Sequence, residues 1–510
     1  MLAKTGSVAF VGVEARLVEV EVDVNTGVPK FTIVGLPAKS VREAEQRTRS
    51  ALLASQERWP PARVVANLAP AGLRKDGTHF DLPIALGLIA ADYGRRLDPN
   101  SLADWVVIGE LGLDGSVRRV RGALAAALAC KRFGRRGLIC PAANHAEASV
   151  VEGIEVIPVS CLAEACAFLR GDTAPPAVTE RRPVSVPSYA DLSDVRGQGG
   201  AKTAVEIAAA GGHNVLFYGP PGSGKTMLAR RVPGILPEMS LAESLEASQI
   251  HSVVGLLPEG IALLAHRPFR APHHNISLSG LIGGGTGLAV PGEVSLAHHG
   301  VLFLDEMPLF RRDSLEGLRG PTEEGIVHIS RVGGAVSYPA RFSLVAAMNP
   351  CPCGYLDDRK TPCRCSDLDV DRYKSRLSGP LLDRFDVQII MSRPTRKELL
   401  DDPPGESSAD VRIRVQAARA IQTERYGTSL RTNATATKAE LDSPELLTTA
   451  ARNELKSIID RVELTGRGVI RILRVARTIA DLGAHDRVTE DDILNSLTFR
   501  LSENLLGAAA

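Results

Sequence analysis

Two short stretches of this sequence hold residues whose types and spacing suit the binding and cleavage of a phosphoanhydride. The first is Asn214-Val-Leu-Phe-Tyr-Gly-Pro-Pro-Gly-Ser-Gly-Lys-Thr226, in which Gly219, Pro220, Pro221, Gly222, Ser223, Gly224, Lys225 and Thr226 make a glycine-rich loop. Residues 215–218 read as an apolar strand before that loop, and Met227, Leu228 and Ala229 begin a helix after it. This is the order a phosphate-binding loop requires. Glycines let backbone N–H groups turn toward the phosphates, and the helix N-terminus adds positive potential. Lys225 is spaced to reach the outer phosphates, and Thr226 to place a hydroxyl on Mg2+. The second stretch, Gly300-Val-Leu-Phe-Leu-Asp-Glu306, reads as a buried strand that carries Asp305 to its C-terminal end. Asp305 would share the Mg2+ shell with Thr226, and Glu306 would orient and polarise the attacking water. An apolar run ending in acids is weak evidence by itself. Paired with the loop, it predicts nucleotide hydrolysis with ATP as the substrate.

A second chemistry lies in the cysteines. Of eight, four fall in residues 351–365, as Cys351-Pro-Cys353 and Cys363-Arg-Cys365. Four thiolates suit a closed tetrahedral Zn2+ site of structural type. The alternative is a set of reduced, unligated thiols. The loop lies between Asn349 and Arg384 in the chain, so a metal there is expected to brace the segment that presents Arg384. Cysteines 130, 140, 161 and 166 stand in apolar segments and are expected in the core. The stretch 266–277 holds three histidines and two arginines, but its prolines break the helical spacing that would align histidines on a metal. A loop near the nucleotide or a polymeric substrate fits it better.

The elements that must position these groups can be placed along the chain. At 510 residues, three or so domains are expected at about 150 residues each. With 44% hydrophobic and 23% charged residues the composition is that of ordinary globular protein, and a net charge of +1 leaves any basic surface to be local. No apolar run is long enough for a membrane span or, at the start, for a signal peptide, so a cytoplasmic location and no membrane partner are expected. Residues 1–172 alternate strand and helix patterns, including a helix at 40–53 opened by Ser40 and Glu43 as a capping box. Arg16, Arg74, Lys75, Arg118, Arg119 and Arg121 form positive clusters, best read as solvated loop charge. Residues 173–189, rich in proline, read as a linker. Residues 190–395 carry the nucleotide motifs, with an insert between Lys225 and Asp305. Residues 396–510 read as helices at 411–426, 445–462, 469–482 and 491–501.

The first domain resembles the proteolytic domain of Lon proteases, through residues 67–83, with Lys75-Asp-Gly, and 109–115. Those enzymes place a serine where this chain has His79 or Phe80, and a lysine where it has Ala123 or Leu124. Without nucleophile and base there is no acyl transfer, so a degenerate, structural or DNA-handling module is expected. The central segment is similar to magnesium-chelatase-like AAA+ proteins through Arg270-Ala-Pro-His-His, Pro291-Gly-Glu-Val-Ser-Leu-Ala-His, Ala347-Met-Asn-Pro-Cys-Pro-Cys-Gly354 and Ser378-Gly-Pro-Leu-Leu-Asp-Arg-Phe-Asp386. The resemblance implies a multidomain α/β protein: an α+β Lon-like domain, an AAA+ P-loop domain and a C-terminal helical lid. It implies a homo-hexameric, ATP-driven helicase acting on single-stranded and branched DNA, migrating junctions during recombination in natural transformation. It gives Val195 and Gln198 to the adenine pocket, Asn349 to sensing the γ-phosphate, and Arg384 to a finger supplied across the subunit boundary. It also gives Arg467, with Arg471 as runner-up, to a lid arginine that reaches back to the γ-phosphate. Residues 326–339 read as a hairpin that would point into a pore with Arg331 on DNA, and His273 and His274 are further DNA candidates. Competing readings are a chelatase- or chaperone-like ATPase that remodels a protein partner, and an ATP-dependent protease, which the residues at 79 and 124 argue against.

Overall fold

The computed structural model describes residues 1–92, 97–173, 189–285, 289–331, 334–356, 358, 360–401, 403–462 and 464–501. Most of the expected linker, 173–189, lies outside the described residues, as do the hairpin turn at 332–333 and the Arg331 side chain.

A mixed seven-stranded sheet organises the first 170 residues. Its strand order is Lys30–Val34, Arg63–Ala69, Glu14–Asn25, Leu2–Val11, Trp105–Val107, Gly137–Pro141 and Glu155–Val159. Alternation sets the faces: Val18, Val20, Val22 and Val24 are buried, while Lys4 on the neighbouring strand answers Glu19 and Glu21 at 2.7 and 2.8 Å. Helix Asp81–Ala91 is buried along its whole length, which requires Asp81 to be paired; Arg47 Nε donates to its carboxylate at 2.6 Å. The expected single helix at 40–53 is two, Lys39–Arg42 and Ala44–Ala54. Ser40 does not cap, because its hydroxyl donates to Asp76 at 2.9 Å instead.

Of the positive clusters, Arg16, Arg74, Arg118 and Arg121 are exposed as expected, but Lys75 and Arg119 are not. Lys75 is fully buried and donates to the Pro70 carbonyl. Arg119 donates to the Leu257 carbonyl, just past the C-terminus of helix Leu241–Val254, where a cation meets the negative end of the helix dipole. That helix is the dock for the first domain: Gly122 N–H donates to Ser252 O at 2.9 Å, and Gln249 Nε2 to Val13 O at 2.8 Å.

The second sheet is wholly parallel, in the order Phe269–Arg270, Val301–Leu304, Ser343–Met348, Val215–Tyr218 and Val387–Ile390. Its three central strands are buried nearly throughout, which is why they read as unbroken apolar runs rather than alternations. Helices Ser408–Tyr426, Thr449–Val462, Gly466–Leu482 and Glu490–Leu497 follow, and the first and third of them pack on helix Gly199–Gly211 beside the sheet. Among the described residues, no helix is long and apolar enough to cross a membrane.

Candidate active site

The nucleotide motifs converge at the C-terminal end of the parallel sheet. Gly222 and Gly224 take φ of +78° and +91°, a left-handed backbone open to glycine at little cost. Lys225 Nζ donates to Gly219 O at 2.6 Å, Pro220 O at 2.9 Å and Asn349 Oδ1 at 3.0 Å. Burial pushes the Lys225 ammonium down to about 8, against the opposing pull of Asp305 and Glu306. Thr226 Oγ1 donates to Asp305 Oδ2 at 2.8 Å, so the two groups suited to Mg2+ already face one another. Glu306 follows at φ +50° with its side chain exposed, and its N–H donates to Asp305 Oδ1 at 3.0 Å. Gln198 Nε2 donates to Ser223 O at 3.0 Å and Ser392 O at 2.5 Å, tying the loop to the end of the edge strand. Val195 is buried in the adjoining core with Leu192 and Ala204.

The arginines are elsewhere. Arg384 precedes strand Val387–Ile390 and so stands at the opposite, N-terminal end of the sheet. Asn214, at the start of the loop strand, donates to Arg384 O at 2.9 Å and accepts from Leu344 N–H at 2.8 Å. The Arg384 guanidinium pairs with Glu323, while its buried Nε has no hydrogen-bond partner among the described residues. Arg471 donates to Asp383 at 2.9 Å, and Arg467 approaches the same carboxylate at 3.7 Å. Arg384, Arg467 and Arg471 line one cleft of about 1110 Å³ with Arg267, Arg341 and Arg474. A reach from Arg467 to the phosphate loop of its own chain is therefore not what this geometry offers. Helix Gly466–Leu482 begins at Asp383, a strand length away from Lys225.

The four cysteines form one group, with all sulfurs within 4.8 Å of one another. Its position corrects the expected brace at the arginine end. Gly354 lies against the Pro221 ring of the phosphate loop, and Cys351 follows two residues after Asn349. A second cluster, Glu246 with His298 and His299, is not suited to a metal. Arg341 N–H donates to His298 Nδ1 at 3.0 Å, so Nε2 carries the proton and donates to Glu246 at 3.1 Å. No lone pair is left on that ring for a cation.

His273 is exposed and His274 half-buried, with rings 4.1 Å apart, on the loop that leaves strand Phe269–Arg270 at the Asp305 end of the sheet. The hairpin is present as Ile326–Arg331 paired with Gly334–Pro339. In the first domain His79 is buried, with Nε2 on Val8 O at 2.8 Å, and desolvation pushes it down to about 4. It packs against Phe10 and Phe80, and Ala123 and Leu124 are buried too. Sequence reasoning missed three positioning residues: Asn214, His213 and Arg393. His213 Nδ1 meets Asp386 at 2.8 Å and its Nε2 meets Thr478 at 2.8 Å, joining the loop strand to the Arg384 segment and the C-terminal helices. A polar pair directly before a buried strand was a usable signal for the first two. Arg393 gave none.

Relatives that cover almost the whole chain include the following two. It is 42% identical over 508 residues to the uncharacterized protein YifB of Escherichia coli, covering 98% of this chain and 97% of that one. It is 43% identical over 513 residues to the competence protein ComM of Haemophilus influenzae, covering 99% and 98%. The chain belongs to the ComM/YifB family of magnesium-chelatase-like AAA+ ATPases. Three family models fit consecutive parts of it: subunit ChlI of Mg-chelatase at residues 20–144, magnesium chelatase subunit ChlI at 191–399, and the ChlI C-terminal model at 405–500. The chloroplastic magnesium-chelatase subunit ChlI-1 of Arabidopsis thaliana is 26% identical over 234 residues, 42% of this chain and 46% of that one. In this ComM/YifB chain the phosphate loop, Asp305, Asn349, the cysteines and Arg384 all fall within the central match.

Proposed function

We propose that this protein is a cytoplasmic ATPase that works as a homo-hexameric DNA translocase and helicase, driving branch migration during recombination of incoming DNA. The reading is carried by one observation: phosphate-binding groups and arginines stand at opposite ends of one parallel sheet. Lys225, Thr226, Asp305, Glu306 and Asn349 of one copy bind and cleave ATP, and Arg384 of the neighbouring copy completes the centre. Lys225 holds the outer phosphates, Asn349 fixes its ammonium, and Glu306 orients the water. Thr226 and Asp305 would hold Mg2+, which would neutralise charge on the phosphates. Arg467 and Arg471 share the arginine cleft, which favours a part for them in the neighbour's centre too.

The domain reading is a non-proteolytic Lon-like module at 1–172, a linker at 173–189, an AAA+ domain at 190–395 and a helical lid at 396–510. Val195 and Gln198 flank the adenine; Cys351, Cys353, Cys363 and Cys365 hold a structural Zn2+; Arg331, His273 and His274 meet DNA. The name of the Haemophilus relative supports a part in competence. The likeness to ChlI-1 supports a second reading, a motor that remodels a protein partner. ATPase rate with and without forked DNA separates them. A DNA motor is stimulated and unwinds the fork, and Glu306→Gln abolishes unwinding; an unstimulated rate favours the protein remodeller.

A further inference from the structure

We propose that the four-cysteine knuckle clamps the phosphate loop, so that zinc loading sets the affinity for nucleoside triphosphate; this rests on the zinc reading above. The sulfurs fit the ion. Cys351, Cys353 and Cys363 stand 3.4, 3.6 and 3.7 Å apart in pairs, near the roughly 3.8 Å edge of a tetrahedron built on ~2.3 Å zinc–sulfur bonds. Those separations are far from disulfide bonding. Backbone N–H groups already point at sulfur, Cys353 N to Cys365 Sγ and Cys365 N to Cys363 Sγ, each at 3.4 Å.

The knuckle touches the phosphate loop by three routes. Asn349, two residues before Cys351, holds the Lys225 ammonium. Gly354, at φ +83°, packs so tightly that a Cβ there would fall 2.6 Å from the Pro221 ring carbons. Arg393 bridges the two: its Nε donates to Pro221 O at 3.2 Å, its guanidinium lies 5.2 Å from the Tyr355 ring centre, and Asp358 stands 3.6 Å away. Within 351–365 only Cys351 and Gly354 are buried among the described residues, so this segment has no apolar core of its own. Ligation is then its main source of order, and the order of a metal knuckle is gained with the metal. Without it, Gly354, Tyr355 and Asp358 lose their fixed places, and Pro221 and Arg393 lose their backing.

The test uses the full-length protein, metal analysis and titration with a fluorescent ATP analogue. Purified protein should hold stoichiometric zinc. Chelation should weaken analogue binding on the order of tenfold, and zinc should restore it. Cys363→Ser should do the same as chelation. Arg393→Ala cuts the bridge while sparing every sulfur, and should weaken binding by a similar factor at full zinc content. Failure to take up zinc, even on reconstitution, overturns the zinc reading and the clamp with it. Full zinc content with analogue affinity unchanged on chelation and in Arg393→Ala overturns the clamp alone and leaves the zinc site standing.

Discussion

Thr226 Oγ1 donates to Asp305 Oδ2 at 2.8 Å, so the hydroxyl beside the phosphate loop meets the acid that follows strand Val301–Leu304. Thr226 lies in the short helix after strand Val215–Tyr218 and Asp305 directly after strand Val301–Leu304, two strands joined only through Ser343–Met348. Thr226→Ala should lower apparent Mg2+ affinity on the order of a hundredfold, read as the Mg2+ dependence of ATP turnover. Nucleotide binding without Mg2+ should change little.

Burial holds Lys225 at about 8 rather than at its ordinary value of 10.5. Phosphate needs the protonated ammonium and binding raises its pKa, so the free protein must take up a proton above pH 8. Affinity for ATP should therefore be flat below that pH and fall above it, by up to about tenfold per unit. Isothermal titration across pH 7 to 9.5, in buffers of different ionisation heat, reads both the slope and the proton.

Arg384 and Lys225 should be separable between chains. Arg384→Ala and Lys225→Ala should each reduce turnover by about a thousandfold or more as pure proteins. Mixed at equal amounts, they should regain part of it, since some boundaries pair an intact loop with an intact arginine. No recovery on mixing would count against a shared centre.

Asp81 has a fully buried side chain, and its pKa is raised by desolvation, opposed by Arg47. Among the described residues, Arg47→Ala leaves that carboxylate with the Leu111 N–H at 3.3 Å as its remaining partner. Thermal and urea unfolding of the first domain should show a loss of about 3–5 kcal/mol. Adding Asp81→Asn should recover part of it, because the buried charge is gone.

Much of the parallel sheet was legible because its strands are apolar on both faces and end in glycine or acid, as at Tyr218–Gly219 and Leu304–Asp305. The C-terminal helices were legible from their period, and the last of them is opened by Thr489 and Asp492 as a capping box. What stayed hidden depended on three-dimensional neighbours. Lys75 looked like one more surface cation, yet the chain folds it onto Pro70. Arg467 was read through a lid that closes over its own loop, whereas the helix it opens is anchored at Asp383. The cysteines lie nearer to Arg384 in sequence than to Pro221, but the turn at Gly354 brings them to the phosphate loop.

In the proposed ring, the sheet with unlike ends makes each copy a donor at one side and an acceptor at the other. A closed ring of such copies has as many whole centres as members, and an open arc always has one fewer. Ring closure then changes the number of working engines, so any ligand that seals the gap acts as an activator without touching a single existing centre.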